Sequence, residues 1–256
     1  MTRLSFALEH HATLPSTNDR ALARAREGAT EGLVVLADAQ TQGRGQRGAH
    51  WYSPPDDGLY ASILLRPRMP PESFAFMTLA AGVAVVDAIE ASLPGAVGLK
   101  WPNDVLLAEG PDQGAKVGGI LVEGSAGARV EHAVVGVGLN LRGHPGDKER
   151  RARALSSAGE APTREAFLAV LESTLGQYLS VLEGRGTGAL LEAWHHRALG
   201  LNDEVDLLSE GAVQVGTLLG LDSQGRVRAR LDDDIRTFDH VKMRLGLERR
   251  WLSFPP

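Results

Sequence analysis

The sequence contains no cysteine, which excludes disulfide bridges, zinc–thiolate sites and cysteine nucleophiles. The chain also lacks an excess of positive charge. Its net charge of −5 at pH 7 argues against DNA or RNA as the main partner. A long hydrophobic run is missing too, since the longest apolar stretch, residues 74–86, is too short to span a bilayer. Residues 1–13 lack the apolar core of a signal peptide. We therefore expect a cytoplasmic protein without a membrane partner.

Lysine is scarce in this chain, which has only Lys100, Lys116, Lys148 and Lys242 beside many arginines. A lysine in a strand-like segment is therefore more informative than usual. Hydrophobic residues make up 43% of the 256 residues, enough for the core of one or two ordinary globular domains.

A glycine- and arginine-rich segment, residues 40–53, lies between two strand-like apolar runs, residues 33–37 and 59–65. Its glycines allow the backbone to approach a ligand closely. The guanidinium groups of Arg44 and Arg47 suit carboxylate or phosphate oxygens, and Trp51 could cover an apolar ligand. Taken alone, the segment favours a surface hairpin connection with solvated arginines.

Four further polar segments interrupt the predicted elements. Ser16-Thr17-Asn18 stands at a helix start, where hydroxyls cap the helix or bind a polar group. Residues 100–104, Lys-Trp-Pro-Asn-Asp, form a break between two short apolar runs, and proline confines such a segment to a sheet edge, bulge or turn. Residues 116–123 and 136–140 carry glycines inside strands, where a ligand or another backbone can come close.

The remaining segments predict packing elements. Residues 74–91 are apolar all round and predict a buried helix, and a second helix follows the cap Pro162-Thr163. Between them, residues 142–161 are polar and glycine-rich, which predicts an exposed loop. From about residue 203 short strand patterns, at 205–208, 213–219 and 227–231, predict a small β domain.

Taken together and in this order, the five polar segments resemble those of biotin protein ligase, also called biotin–acetyl-CoA-carboxylase ligase. The resemblance is strong over residues 10–145. It implies a two-step reaction, in which biotin and ATP give biotinyl-5′-AMP and pyrophosphate, and the biotinyl group then passes to one lysine of a biotin carboxyl carrier protein. About fifteen residues precede Ser16, too few for the helix-turn-helix of the DNA-binding members, so we expect the monofunctional type.

The resemblance also implies roles for individual residues. The expected catalytic residues are Lys116, Arg44 and Arg47. The expected biotin-binding residues are Ser16, Thr17, Asn18, Gln40, Arg44, Gly45, Gln46, Lys116 and Gly118. The expected ATP-binding residues are Arg47, Trp51, Lys100, Asn103 and Asn140. Magnesium should accompany the ATP, with Asp104 as a candidate ligand.

The chemistry agrees with these roles, because a carboxylate must attack a phosphate and positive charge and positioning are the main needs. The implied fold is α+β. It comprises a mixed-sheet catalytic domain over residues 1–200, packed with helices, and a small SH3-like β-barrel over residues 203–256. Family members include dimers, so a homodimer is left open, although no strand is identifiable as its interface.

The chain departs from the family pattern in the glycine-rich loop, where arginine is common at the position of Gln46 and a basic residue near Ala49. We therefore expect weaker phosphate neutralisation and looser retention of the intermediate. Two alternatives remain open: a lipoate or octanoate ligase or transferase of the same fold, and a non-catalytic protein that binds biotin.

Overall fold

The computed structural model describes residues 4–144, 152–184, 186–209 and 211–249. Its larger sheet contains seven strands: β1 (Ala7–Leu14), β2 (Leu33–Gln40), β3 (Gly58–Leu65), β4 (Val97–Lys100), β5 (Asp104–Leu107), β6 (Lys116–Ala126) and β7 (Val130–Asn140). Their spatial order is β1-β2-β3-β7-β6-β5-β4. β1 and β2 run parallel and all other neighbours antiparallel, so the predicted mixed sheet is confirmed.

In the part of the chain that the structure describes, five α-helices accompany the strands: α1 (Thr17–Arg26), α2 (Phe76–Glu90), α3 (Arg164–Gly184), α4 (Thr187–Arg197) and α5 (Gly246–Arg249). In α2, 12 of 15 residues are buried, which confirms the predicted core helix. It begins at Phe76 because a short 3₁₀ turn, Pro71–Ser73, precedes it. Within the described ranges, no helix is both long and apolar enough to cross a membrane.

The carboxy-terminal region forms a second, five-stranded antiparallel sheet. Its strands are β8 (Glu204–Ser209), β9 (Ala212–Leu221), β10 (Val227–Leu231), β11 (Asp234–Phe238) and β12 (Lys242–Leu245), in the spatial order β11-β10-β9-β8-β12. The predicted carboxy-terminal β structure is thus confirmed as a second sheet. β11 and β12 were not predicted, because their alternating charged residues do not form a recognisable apolar run.

The two sheets share one hydrophobic core. Val205 and Leu218 of the second sheet belong to the same buried cluster as Val83 of α2. The Trp101 Nε1–H group also donates a hydrogen bond of 3.0 Å to the Gly225 carbonyl oxygen. These contacts show that the second sheet packs against the first as part of one body. The domain boundary near residue 200 stays a prediction.

The predicted exposed loop at residues 142–161 is wrong in part. Residues 145–151 lie outside the described residues, but Ala152, Ala154 and Leu155 are buried. Ala152 forms a parallel β-bridge with Lys116, which draws this segment against the sheet. Its few apolar residues are spaced too irregularly for sequence periodicity to reveal their burial.

Candidate active site

One large cavity, of about 940 Å³, lies where the five polar segments meet. The loop between β2 and β3 (residues 41–57) forms one side, and the start of α1 and the glycine-rich parts of β6 and β7 form the floor. The turn after β4 and residues 241–243 of the second sheet close the other side. All predicted site residues line this cavity except Gly118.

The prediction that Gly118 binds biotin is corrected by one position along β6, because Gly118 does not line the cavity. A Cβ atom at Gly118 would lie 2.4 Å from a methyl group of Leu139, on the core side of the sheet. Successive residues of a strand face opposite sides, so Gly119 is the residue that borders the cavity.

At one end of the cavity, hydroxyl and amide side chains from separate elements hold one another in place. The backbone N–H and the hydroxyl of Thr17 donate to Gln40 Oε1 at 2.8 and 3.1 Å. The Gln40 Nε2 amide donates to Ser53 Oγ at 2.9 Å. Ser16 caps α1 by accepting from the Asp19 backbone N–H, which confirms the predicted helix start.

Asn18 is the most constrained member of this end. The fully buried Ser62 hydroxyl lies 2.6 Å from Asn18 Oδ1 and 2.8 Å from Thr17 Oγ1, and its one hydrogen can serve either acceptor. The Asn18 amide nitrogen donates to Glu123 Oε2 at 2.8 Å. A Cβ atom at Gly136 would lie 2.2 Å from Asn18 Oδ1, so this glycine makes room for the amide. We call Ser16, Thr17, Asn18, Gln40 and Ser62 the polar cluster.

Arg44 anchors the loop to the floor of the cavity. Its guanidinium donates to Asp19 at 2.6 Å and to both carboxylate oxygens of Glu123 at 3.0 and 2.8 Å. The hydrogen bond with Glu123, more than the attraction of Asp19, raises the pKa of Arg44. The guanidinium of Arg44 is therefore hydrogen-bonded to protein carboxylates.

Arg47 differs from Arg44 in both backbone and surroundings. It takes a left-handed conformation, with φ of 55°, in the short turn Gln46–Gly48, and it is exposed. Within the described residues it has neither an ion pair nor a hydrogen bond through its side chain. Arg47 is thus the loop cation that remains able to meet an anion.

Trp51 folds back over the glycines of the floor. A Cβ atom at Gly138 would lie 2.6 Å from the indole, and Lys116 Nζ lies 5.4 Å from its ring centre, within range of a cation–π contact. The buried indole N–H finds no hydrogen-bond partner among the described residues.

The remaining predicted residues are held by the protein itself. Lys116 Nζ donates to Asp104 Oδ1 at 2.5 Å, and Lys100 Nζ donates to Glu248 Oε1 at 2.8 Å. The side-chain amide of Asn103 donates to the Ile120 carbonyl oxygen at 2.9 Å. That of Asn140 donates to the Arg153 carbonyl oxygen at 3.0 Å. The side chains of Asn103 and Asn140 therefore stabilise the cavity wall by hydrogen bonds to backbone carbonyl groups.

Of the described residues that line the cavity, Asp104 is the only carboxylate. The described part of the chain contains no group of three or more histidine, aspartate and glutamate side chains placed to hold a metal ion. Asp104 alone could contribute to a metal whose other ligands come from a bound anion, and in this structure it holds Lys116.

Several residues that support the site are not among the predicted site residues. Ser62 belongs to the polar cluster and Ser53 supports it, Glu123 and Asp19 hold Arg44, and Lys242 lines the far wall. Glu123 closes the segment 116–123 that the sequence singled out, and it faces α1 and Arg44. Their contacts join residues as many as 105 positions apart, which no local pattern reveals.

Comparison with known proteins agrees with this geometry. The model of the biotin/lipoate A/B protein ligase family matches residues 11–140. The chain belongs to this family. A biotin--[acetyl-CoA-carboxylase] ligase of Mycobacterium tuberculosis is 34% identical over 220 residues, which are 83% of this chain and 79% of the relative. The bifunctional ligase/repressor BirA of Bacillus subtilis is 30% identical over 249 residues, 93% of this chain and 74% of the relative.

Solved structures of the family have the same fold. The biotin protein ligase from Aquifex aeolicus in complex with biotin and ATP superposes with a TM-score of 0.78 at 28% identity. The match covers 93% of this chain and 99% of that one. The predicted resemblance to biotin protein ligases is thus confirmed.

Proposed function

We propose that this protein is an ATP-dependent biotin ligase that forms biotinyl-5′-AMP and transfers biotin to a lysine of a biotin carboxyl carrier protein. The observation that carries the proposal is one cavity that joins a neutral polar cluster to Lys116 and the loop cation Arg47. An uncharged polar head group and an anion can be held there at the same time.

The polar cluster suits the ureido head of biotin, which offers one carbonyl acceptor and two N–H donors. Hydroxyl and amide side chains supply both kinds of partner. Because the cluster is already tied together by Ser62, Ser53 and Glu123, little ordering is needed when the ligand binds. The Trp51 indole then covers the apolar part of the ligand.

In the first step, a biotin carboxylate oxygen attacks the α-phosphorus of ATP. The new bond is O–P, the bond from the α-phosphorus to the bridging oxygen breaks, and pyrophosphate leaves with the electron pair. Lys116, oriented by Asp104, can stabilise the carboxylate and phosphate oxygens as charge shifts between them. Arg47 can bind the phosphates, and magnesium is expected to neutralise part of their charge.

In the second step, the amine of a carrier lysine attacks the biotinyl carbonyl carbon. An amide bond forms, the bond from that carbon to the phosphate oxygen breaks, AMP leaves and the nitrogen loses a proton. Between the steps the mixed anhydride must be kept from water. The loop, anchored by Arg44 and closed by Trp51, is placed to do this.

A lipoate or octanoate ligase of the same fold is the alternative, since the family model includes both branches. The polar cluster favours biotin. An acyl chain without a polar head would leave several of these buried groups facing apolar atoms, and such mismatches are strongly rejected.

Mass spectrometry of the purified protein with biotin, ATP and magnesium, with and without a biotin carboxyl carrier domain, tests the proposal. We expect biotinyl-AMP alone in the first case and a biotin-sized mass gain on one carrier lysine in the second. Acceptance of lipoate or octanoate in place of biotin would move the protein to the sister branch. If no product forms with any of these acids, the ligase proposal is wrong and the alternative of a non-catalytic biotin-binding protein is favoured.

A further inference from the structure

Among the described residues, five lysine and arginine side chains line the cavity: Arg44, Arg47, Lys100, Lys116 and Lys242. Three of them are matched by carboxylates, Arg44 by Asp19 and Glu123, Lys100 by Glu248, and Lys116 by Asp104. Across the residues that the structure describes, Arg47 and Lys242 have no such partner. Positive charge is therefore uncompensated at two points of the wall.

Lys242 comes from the second sheet, not from the catalytic sheet. It is the first residue of β12, and its exposed side chain alternates with Val241 and Met243, which are 3% and 4% exposed. The alternation of a strand explains this arrangement, since the two neighbours anchor β12 while the lysine projects away from the core.

An ion pair fixes the position of β12 against the cavity. Glu248 of α5 accepts from Lys100 Nζ at 2.8 Å and from the Leu245 backbone N–H at 2.7 Å. The side chains of this pair are only 13% and 16% exposed. Leu247 packs onto Gly114, where a Cβ atom would lie 2.4 Å from a leucine methyl group. The strand that carries Lys242 is thus joined to the wall on both sides of β5.

We propose that Lys242 binds the terminal phosphates of ATP, so that the second sheet contributes directly to the nucleotide site. The inference rests on the proposed ligase function. The terminal phosphates carry most of the charge of ATP, and cations without a carboxylate partner can bind them without the loss of an ion pair. Arg47 from the loop and Lys242 from β12 are the two that qualify, and an ammonium is a good point charge for phosphate.

The test compares ligands with and without the terminal phosphates. For Lys242→Ala we expect the Kd and KM of ATP to rise about tenfold, as for one charge-assisted contact. The Kd of biotinyl-AMP, which lacks the terminal phosphates, and the KM of biotin should not change. Lys242→Arg should restore ATP binding. The matched control is Arg230→Ala. It also removes one positive charge from the second sheet, but Arg230 does not line the cavity.

Three results would overturn the inference: unchanged ATP affinity in Lys242→Ala, an equal loss of ATP and biotinyl-AMP affinity, or an equal loss of ATP affinity in Arg230→Ala. Calorimetry measures the effect of Lys242→Ala on the Kd of ATP even if no reaction takes place. If the wild-type protein forms no biotinyl-AMP, the ligase proposal fails by itself. A tenfold weaker ATP affinity in Lys242→Ala would then still support the phosphate contact.

Discussion

The two ends of the cavity are built on different principles. At the polar cluster, Thr17, Asn18 and Ser62 are buried and hydrogen-bonded to other protein groups before any ligand is present. The cations that we call the charged end, Arg47 of the loop and Lys242 of β12, are exposed and, among the described residues, unpaired.

Because of this difference, one cavity can select two unlike ligands. A neutral head group is recognised by the directions of hydrogen bonds, which a rigid network defines well. A polyphosphate is recognised mainly by charge, and flexible exposed cations reach it without prior ordering. The following predictions test whether the two ends act separately.

The largest effect should come from Lys116, which borders the same cavity as the polar cluster and the charged end. We expect Lys116→Ala to lower the rate of biotinyl-AMP formation about 10²–10³-fold, because a positive group is lost from the reacting oxygens. Single-turnover assays of the adenylate measure this. A simple binding protein would show at most weaker affinity, and Arg230→Ala serves as the charge control.

Gly136→Ala should damage the polar cluster alone. The added methyl group would meet Asn18 Oδ1 at 2.2 Å, and Asn18, which is 4% exposed, has no room to retreat. We expect the Kd of biotin to rise about tenfold or more, with the KM of ATP little changed. Gly188→Ala, whose Cβ would meet nothing within 4 Å, is the matched control. Unchanged biotin affinity would show that Asn18 does not shape the ligand site.

Gln46→Arg should strengthen the charged end. Gln46 lines the cavity beside Arg47, and an arginine there would add a cation near the phosphate. We expect biotinyl-AMP to leave several-fold more slowly, on the order of one charge-assisted contact. Dissociation of labelled intermediate measures this, with Gln46→Met as the uncharged control. An unchanged release rate would disprove the idea that this loop retains the intermediate loosely.

The smallest effect concerns His195, which joins α4 to the second sheet. Its Nε2 accepts from the Leu221 backbone N–H at 2.8 Å, and burial lowers the pKa of His195. The unfolded chain therefore binds the proton more readily, so stability falls as the pH drops through the unfolded pKa of about 6.5.

We expect the melting temperature of the wild-type protein to fall more between pH 7.5 and pH 5.5 than that of His195→Gln, by a difference on the order of 2 °C. His132, whose pKa burial also lowers, should contribute separately, so His132→Gln is the comparison variant. Identical pH profiles for wild type and His195→Gln would refute the linkage.

Much of the fold and site could be predicted because the information is local. Paired glycines in β6 and β7, the capped start of α1 and the glycine-arginine loop are each contiguous in sequence. The partners of the site residues are not, since Glu123 reaches Asn18 across 105 positions and Glu248 reaches Lys100 across 148. The sequence predicts Gly118, and the structure brings Gly119 to the cavity, because residue spacing does not show which face of a strand meets a ligand.

Calorimetry of biotin binding without nucleotide tests the separation of the two ends most directly. We predict that the wild-type protein binds biotin in the absence of ATP and that Arg47→Ala has the same Kd for biotin, since the polar cluster is complete without the loop cation. If biotin binds only when ATP is present, or if Arg47→Ala weakens biotin as much as ATP, the polar cluster is not a preformed site and the account is wrong.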